Sequence, residues 1–196
     1  MQKLDRSTLH SLEEYAQLRA QFRREVIEHK KPRRIAVTEH AVLYFEDFLT
    51  MKYQVQEMLR AERIFEPDGI LEEIEAYNPL IPDGSNWKAT FMIEYADVDE
   101  RRTALAKLLG VEDRVYVQVG DGERVHAIAD EDLERESEEK TSSVHFLRFE
   151  LTPEMVAAAK DGAPIRVGID HTELTAELEL PEASRASLAA DLDPVH

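Results

Sequence analysis

Trp87-Lys88-Ala89-Thr90-Phe91-Met92-Ile93-Glu94-Tyr95 is the stretch on which the fold turns. Trp87, Ala89, Phe91, Ile93 and Tyr95 fall on one side of an extended chain, with Lys88, Thr90, Met92 and Glu94 on the other. That is the two-residue period of a strand with one face in a core. Val144–Leu151 repeats the pattern, with His145, Leu147, Phe149 and Leu151 on one face. Between and around these strands, turn residues come at hairpin spacing. Arg34–Val37 and Ala41–Phe45 flank Thr38-Glu39-His40, and Arg114–Val119 and Glu123–Ala129 flank Gly120-Asp121-Gly122. Two further strands flank Asp170-His171-Thr172. About eight strands joined by hairpins or single helices predict an α+β fold with a largely antiparallel sheet, packed helices and an N-terminal helical segment.

The helices announce themselves by period and caps. Asp5 suits a short first turn, and Ser11 with Glu14 makes a capping box for a helix that Pro32 stops. Leu12, Tyr15, Phe22 and Val26 form its stripe, with Leu18 close by. Residues 46–65 carry the strongest helical period: Phe48, Met51, Val55, Met58, Glu62 and Phe65 step by three and four, a packing seam holding one acid. Shorter helices are expected at Ile70–Tyr77, after Asp97 as far as Leu109, at Thr152–Lys160 and after Pro181. Asp130–Lys140, with seven acids and two bases, reads as a solvated, partly helical connection.

A length of 196 residues suits a single domain, with 1–32 as a helical arm and 33–196 as the α+β body. The net charge of −17 is uneven. Residues 1–34 hold nine Lys/Arg and five Asp/Glu, net +4; the remainder holds fifteen and thirty-six, net −21. An acidic body repels phosphate backbones, so nucleic acid is not an expected partner. The positive N-terminal helix suggests electrostatic docking through Arg23, Arg24, Arg33 and Arg34, within a homodimer or onto another protein. Uncharged runs fall far short of the roughly 20 residues of a membrane span, and the first ten residues lack a signal peptide's apolar stretch. A cytoplasmic protein that does not enter membranes is expected.

The chain has no cysteine, which removes disulfides, thiol nucleophiles and thiolate-held clusters together. No two of the seven histidines lie within ten residues of each other, and Glu123-x-x-His126 falls in a strand, where its members point to opposite faces. Neither a metal nor any other cofactor is therefore expected, and His145 reads as a core histidine with a satisfied hydrogen bond. P-loop, Gly-x-Ser-x-Gly and calcium-loop patterns are missing too, so no nucleophile is named and the question of enzyme or binder stays open. Two features suggest a site. Glu62 in an apolar seam needs a partner, and Pro82-Asp83-Gly84-Ser85-Asn86-Trp87-Lys88 gathers the only tryptophan and one of two asparagines. Arg60 and Glu62 with Asp83, Asn86 and Lys88 are the expected lining of a ligand-binding polar pocket between the Leu49–Ile64 helix and the Asp83–Lys88 loop and strand. The alternative is a turn whose polar groups cap the backbone.

Leu49–Glu66, Tyr77–Thr90, Met92–Tyr95 and Glu138–Pro153, together with Ser11–Ala16, resemble a bacterial family catalogued as domain of unknown function 3501. The resemblance spans nearly the whole chain. It implies a redox or oxidative-stress setting, with rubrerythrin-like proteins and iron–sulfur oxidoreductases as partners, and supplies no catalytic residue. The expected function is accordingly an accessory or binding protein of such a system, with a small-molecule binder or enzyme as the alternative.

Overall fold

Alternation in the Trp87 segment places it at the centre of a sheet in the computed structural model, which describes residues 2–131 and 140–193. In chain order the described elements are α1 (Leu12–Lys30), β1 (Arg34–Ala36), β2 (Ala41–Glu46), α2 (Phe48–Ala61), α3 (Pro67–Tyr77), β3 (Asn86–Ile93), α4 (Val98–Lys107), β4 (Val115–Val119), β5 (Arg124–His126), β6 (Ile128–Ala129), β7 (Val144–Glu150), α5 (Pro153–Lys160), β8 (Ile165–His171), β9 (Leu174–Glu179) and α6 (Glu182–Ala189). Short 3-10 turns occupy Arg6–Thr8, Lys31–Arg33, Asn78–Leu80 and Val111–Arg114. The fold is α+β, and every strand pairing is antiparallel. The charged connection read at 130–140 lies, over 132–139, outside the described residues.

The strands form two sheets where the sequence suggested one. The first has the order β1-β2-β3-β7-β6 and the second β5-β4-β8-β9. Chain passes from one to the other within a few residues: β5 pairs with β4, β6 pairs with β7, and between them the Ala127 N–H donates to the Val115 carbonyl at 2.8 Å. Hairpin spacing cannot reveal such a change of partner, because each half looks like an ordinary short strand. Trp87, Phe91 and Phe149 from the first sheet share one core with Val115, Val117, Ile165, Val167 and Ile169 from the second. Each of these side chains is fully buried, worth about 1.5–3 kcal/mol apiece for the aliphatic and phenyl groups. The Trp87 Nε1–H donates to the Leu188 carbonyl at 2.8 Å and ties the core to α6.

A smaller core lies among the helices, from Leu4, Met51, Val55, Leu59, Ile74 and Ile81. It corrects the reading of the long helix. Asp47 caps α2 through a reciprocal bond pair with Thr50, so the helix begins at Phe48. Its buried line is Met51, Val55 and Leu59, spaced by fours. At the other end Arg63 takes a left-handed backbone (φ 55°) and the Ile64 N–H turns back to the Leu59 carbonyl at 2.9 Å. Glu62 is thus the exposed C-cap, past the last turn, and Phe65 is 66% exposed. The acid in the seam is in water.

Residues 4–30 pack onto α2. Tyr15 and Val26 are buried, and Glu57 accepts from the Tyr15 hydroxyl at 2.6 Å and from Arg19 at 2.7 and 2.8 Å. Leu18, read as close to the stripe, is 42% exposed. Of the four arginines singled out for docking, Arg23 and Arg24 are exposed, Arg34 is exposed but donates to the Tyr44 hydroxyl, and Arg33 is buried.

Candidate functional site

Asp83 and Asn86 do come together, in a brace closed on itself. Asn86 Oδ1 accepts from the Asp83 N–H at 3.2 Å, while its Nδ2 donates to Asp83 Oδ2 at 2.8 Å and to Glu150 at 3.1 Å. Ser85 donates to Asp83 and to Glu150. Burial pushes the Asp83 carboxyl up, but the bonds from Ser85 and Asn86 outweigh it and hold it below the usual carboxylate range. Gly84 has φ 106°, and a Cβ there would fall 2.1 Å from the Asp193 carboxylate, so only glycine fits. The loop therefore docks the C-terminal segment, and its polar groups cap backbone and neighbours.

Lys88 donates to the Pro79 carbonyl at 2.5 Å; burial lowers its pKa, against the nearby Asp83 carboxylate. With Tyr77, Glu131 and Arg148 it lines a hollow of about 270 Å³. That is just below the usual size of a ligand pocket, and its cations are engaged: Arg148 is held by Glu131 at 2.9 Å and Glu150 at 2.5 Å. Arg60 and Glu62 are both exposed at the end of α2 and do not line it. Of the five expected residues, Asp83 and Asn86 share the brace, Lys88 alone lines the hollow between α3 and β7, and Arg60 and Glu62 join neither.

A larger cavity, about 880 Å³, opens where the β1–β2 turn, the end of β3, α4 and the β8–β9 turn converge. Its apolar lining comes from Ala41, Ile93, Ala104, Leu108 and Leu174. Five carboxylates surround that lining, Glu39, Asp97, Asp99, Glu100 and Glu173, with Lys107 the cation among them. Asp97 also caps α4, accepting from the Asp99 and Glu100 N–H groups at 2.9 Å each. On one wall the His40 and Tyr95 rings stack, centroids 3.9 Å apart at 15°. The His40 Nδ1–H donates to the Glu94 carbonyl at 2.8 Å, which holds the ring in place. A hollow of about 590 Å³ adjoins it through Glu39, His40, Ile93 and Tyr95 and reaches Arg101 and Ser143.

Sequence reasoning passed over this cleft because its parts are turns and helix ends, each ordinary alone. The available signal was the acid run Asp97, Asp99, Glu100 directly after an aromatic strand end. An apolar floor with an anionic rim and an accessible aromatic face suits a cation on an apolar stem. Elsewhere, His145 is fully buried as the alternation predicts, with the Glu112 and Asp130 carboxylates close to its ring.

Comparison with known proteins places this geometry in a family. A model of the family described as protein of unknown function (DUF3501) matches residues 3–192. A crystal structure of a novel protein of unknown function from Burkholderia pseudomallei is similar in fold and sequence, with a TM-score of 0.93 and 51% identity over 98% of this chain and 100% of that one. No curated protein matches the chain.

Proposed function

The chain belongs to the DUF3501 family, and we propose that it is a binding protein whose α4 cleft grips a lysine or arginine side chain presented by a partner protein. One observation carries this reading: five carboxylates surround an apolar floor in a cavity of about 880 Å³. A Lys or Arg stem would lie along Ile93, Leu108 and Leu174 while its charged head meets the rim, and the Tyr95 face would add a cation–π contact. The net charge of −17 supports the same polarity, since a basic partner would be steered toward the protein before contact. The redox setting implied by the resemblance, with rubrerythrin-like and iron–sulfur proteins as partners, belongs to this proposal.

The test must separate the cleft from general acidity. Isotope-labelled protein is titrated with a ten-residue oligolysine peptide at low salt. Shifts are expected to concentrate on Thr103, Ala104, Leu108 and Leu174. Asp99→Asn, Glu100→Gln and Glu173→Gln together should weaken binding about tenfold, from rim charges worth about 0.2–1 kcal/mol each. A control with Glu72, Glu75 and Glu182 changed to Gln carries the same net charge and should weaken it far less. Shifts spread evenly over the surface, or equal effects of the two triple variants, would overturn the reading.

A further inference from the structure

Three residues far apart in sequence meet inside the fold. Glu112 sits in the turn before β4, Asp130 directly after β6, and His145 second in β7. Their side chains are 9%, 9% and 0% exposed, and one ligand atom from each lies within 4.8 Å of the others. The Phe91 ring lies alongside the imidazole, centroids 6.3 Å apart.

The two nitrogens of His145 have different surroundings. Nδ1 lies 2.5 Å from Asp130 Oδ2. Two ligands of one ion, each about 2.1 Å from it, stand about 3.0–3.4 Å apart at octahedral or tetrahedral angles. The Asp130 contact is therefore a hydrogen bond, with Nδ1–H as donor. Asp130 is itself held in place: its Oδ1 accepts from the Phe146 N–H at 2.9 Å, and its own N–H donates to the Phe146 carbonyl at 2.8 Å. A carboxylate on Nδ1–H, anchored from behind, is what presents the other nitrogen of a histidine to an ion.

Around Nε2 stand three oxygens: Thr141 Oγ1 at 2.9 Å, the Ser142 carbonyl at 3.1 Å and Glu112 Oε2 at 3.7 Å. Thr141 Oγ1 is also 3.2 Å from Glu112 Oε2. These separations bracket the spacing of ligands around one small cation. We propose that this cluster is a binding site for a divalent first-row transition cation, ligated by His145 Nε2, Glu112 Oε2, Thr141 Oγ1 and the Ser142 carbonyl, with Asp130 as the positioning residue. One imidazole among oxygen donors is a set suited to Mn²⁺, Fe²⁺ or Zn²⁺. Ser143, which lines the 590 Å³ hollow, directly follows the Ser142 ligand in the chain.

Histidine spacing does not reveal this cluster, because Glu112 and Asp130 stand 33 and 15 positions before His145 and only the fold brings them to its ring.

The experiment uses the full chain, stripped with a chelator and then titrated calorimetrically with Mn²⁺ alone and with Zn²⁺ alone, alongside thermal melts. One equivalent of one or both ions should bind per chain and raise the melting temperature. His145→Ala and the near-isosteric Glu112→Gln should each lower affinity at least about 100-fold, and Asp130→Asn about 10–100-fold. His126→Ala, an exposed histidine on the second sheet, should leave binding unchanged. Should His145→Ala fail to fold, Glu112→Gln decides the matter. No stoichiometric uptake of either ion by the folded wild type overturns the proposal, as does undiminished uptake by Glu112→Gln or loss of uptake in His126→Ala.

Discussion

Arg33 and Asp191, 158 positions apart, form a buried ion pair: Nη2 lies 2.6 Å from Oδ2 and Nη1 3.3 Å from Oδ1. Arg33 is 2% exposed, and its remaining donors go to the Phe45 and Ser187 carbonyls and the Glu46 carbonyl. Asp47 lies 3.4 Å away and is itself in contact with His29 at 2.5 Å. One guanidinium thus joins the end of the N-terminal helical segment, the β2–α2 corner and the last helix. An arginine that looked available for docking is structural.

Replacing Arg33 with Met should be costly. The change keeps much of the side-chain volume but leaves Asp191 buried beside Asp47 without its partner. A loss of about 3–5 kcal/mol is expected, read as a lower urea midpoint. The double variant Arg33→Met/Asp191→Leu should recover part of that loss, because it removes the orphaned charge. If the single variant is as stable as wild type, the pair does not hold the two ends together.

Asp191 gives the opposite of the usual acid response. Burial pushes its carboxyl up to about 6, despite the pull of Arg33. Its contribution to stability is therefore fully present below about 3.9, the ordinary Asp value, and is lost as pH rises through about 6. Asp191→Asn removes this titration. The stability of the variant relative to wild type should improve between pH 4 and pH 7, by at most about 3 kcal/mol. A difference that stays flat across this range would show that the carboxyl does not titrate there.

Glu57 carries the conventional sign. The bond from Arg19 holds its carboxyl down at about 2, against burial and with help from the Tyr15 hydroxyl. Its stabilisation is full above about 4.3 and falls away as pH drops toward 2. With the group partly in solvent, about 1 kcal/mol is the expected size. Urea melts of Glu57→Gln and wild type should differ at pH 6 and converge near pH 2. Convergence at pH 4 instead would mean that Arg19 does not hold the carboxylate.

Gly168 is required by the ring laid over it. A Cβ at this position would stand 2.4 Å from the Tyr116 ring and hydroxyl and 2.9 Å from the Ala176 carbonyl. Tyr116 cannot easily swing away, since its hydroxyl donates to Glu177 at 2.6 Å and Arg124 lies 4.1 Å over its face. Gly168→Ala should cost about 1–3 kcal/mol by overpacking. The companion Gly168→Ala/Tyr116→Ala should lose less than the sum of the two single variants, since only the Ala176 carbonyl contact then remains, and a full additive loss would exclude the ring clash as the cause.

Much of the fold was legible in the residues themselves. Alternation at 87–95 and 144–151 named two neighbouring strands, which pair directly with Trp87 opposite Phe149 and Phe91 opposite His145. The capping box at Ser11 and Glu14 and the hairpin at Gly120-Asp121-Gly122 are local chemistry, so they survive into the fold as read. The brace at Asp83 and Asn86 was readable as a turn for the same reason. Glu62 was misread because periodicity does not say where a helix stops; the left-handed turn at Arg63 does.

Sequence by itself determined the class of structure, the direction each strand faces and the lack of thiol chemistry, since these follow from period and composition within a few residues. Tertiary structure alone decided that the strands divide into two sheets, that Arg33 is buried by Asp191, that α4 closes an acid-rimmed cleft, and that Glu112, Asp130 and His145 meet. Each depends on contacts between segments far apart in the chain. Local pattern records which way a side chain points, and only packing supplies what it points at.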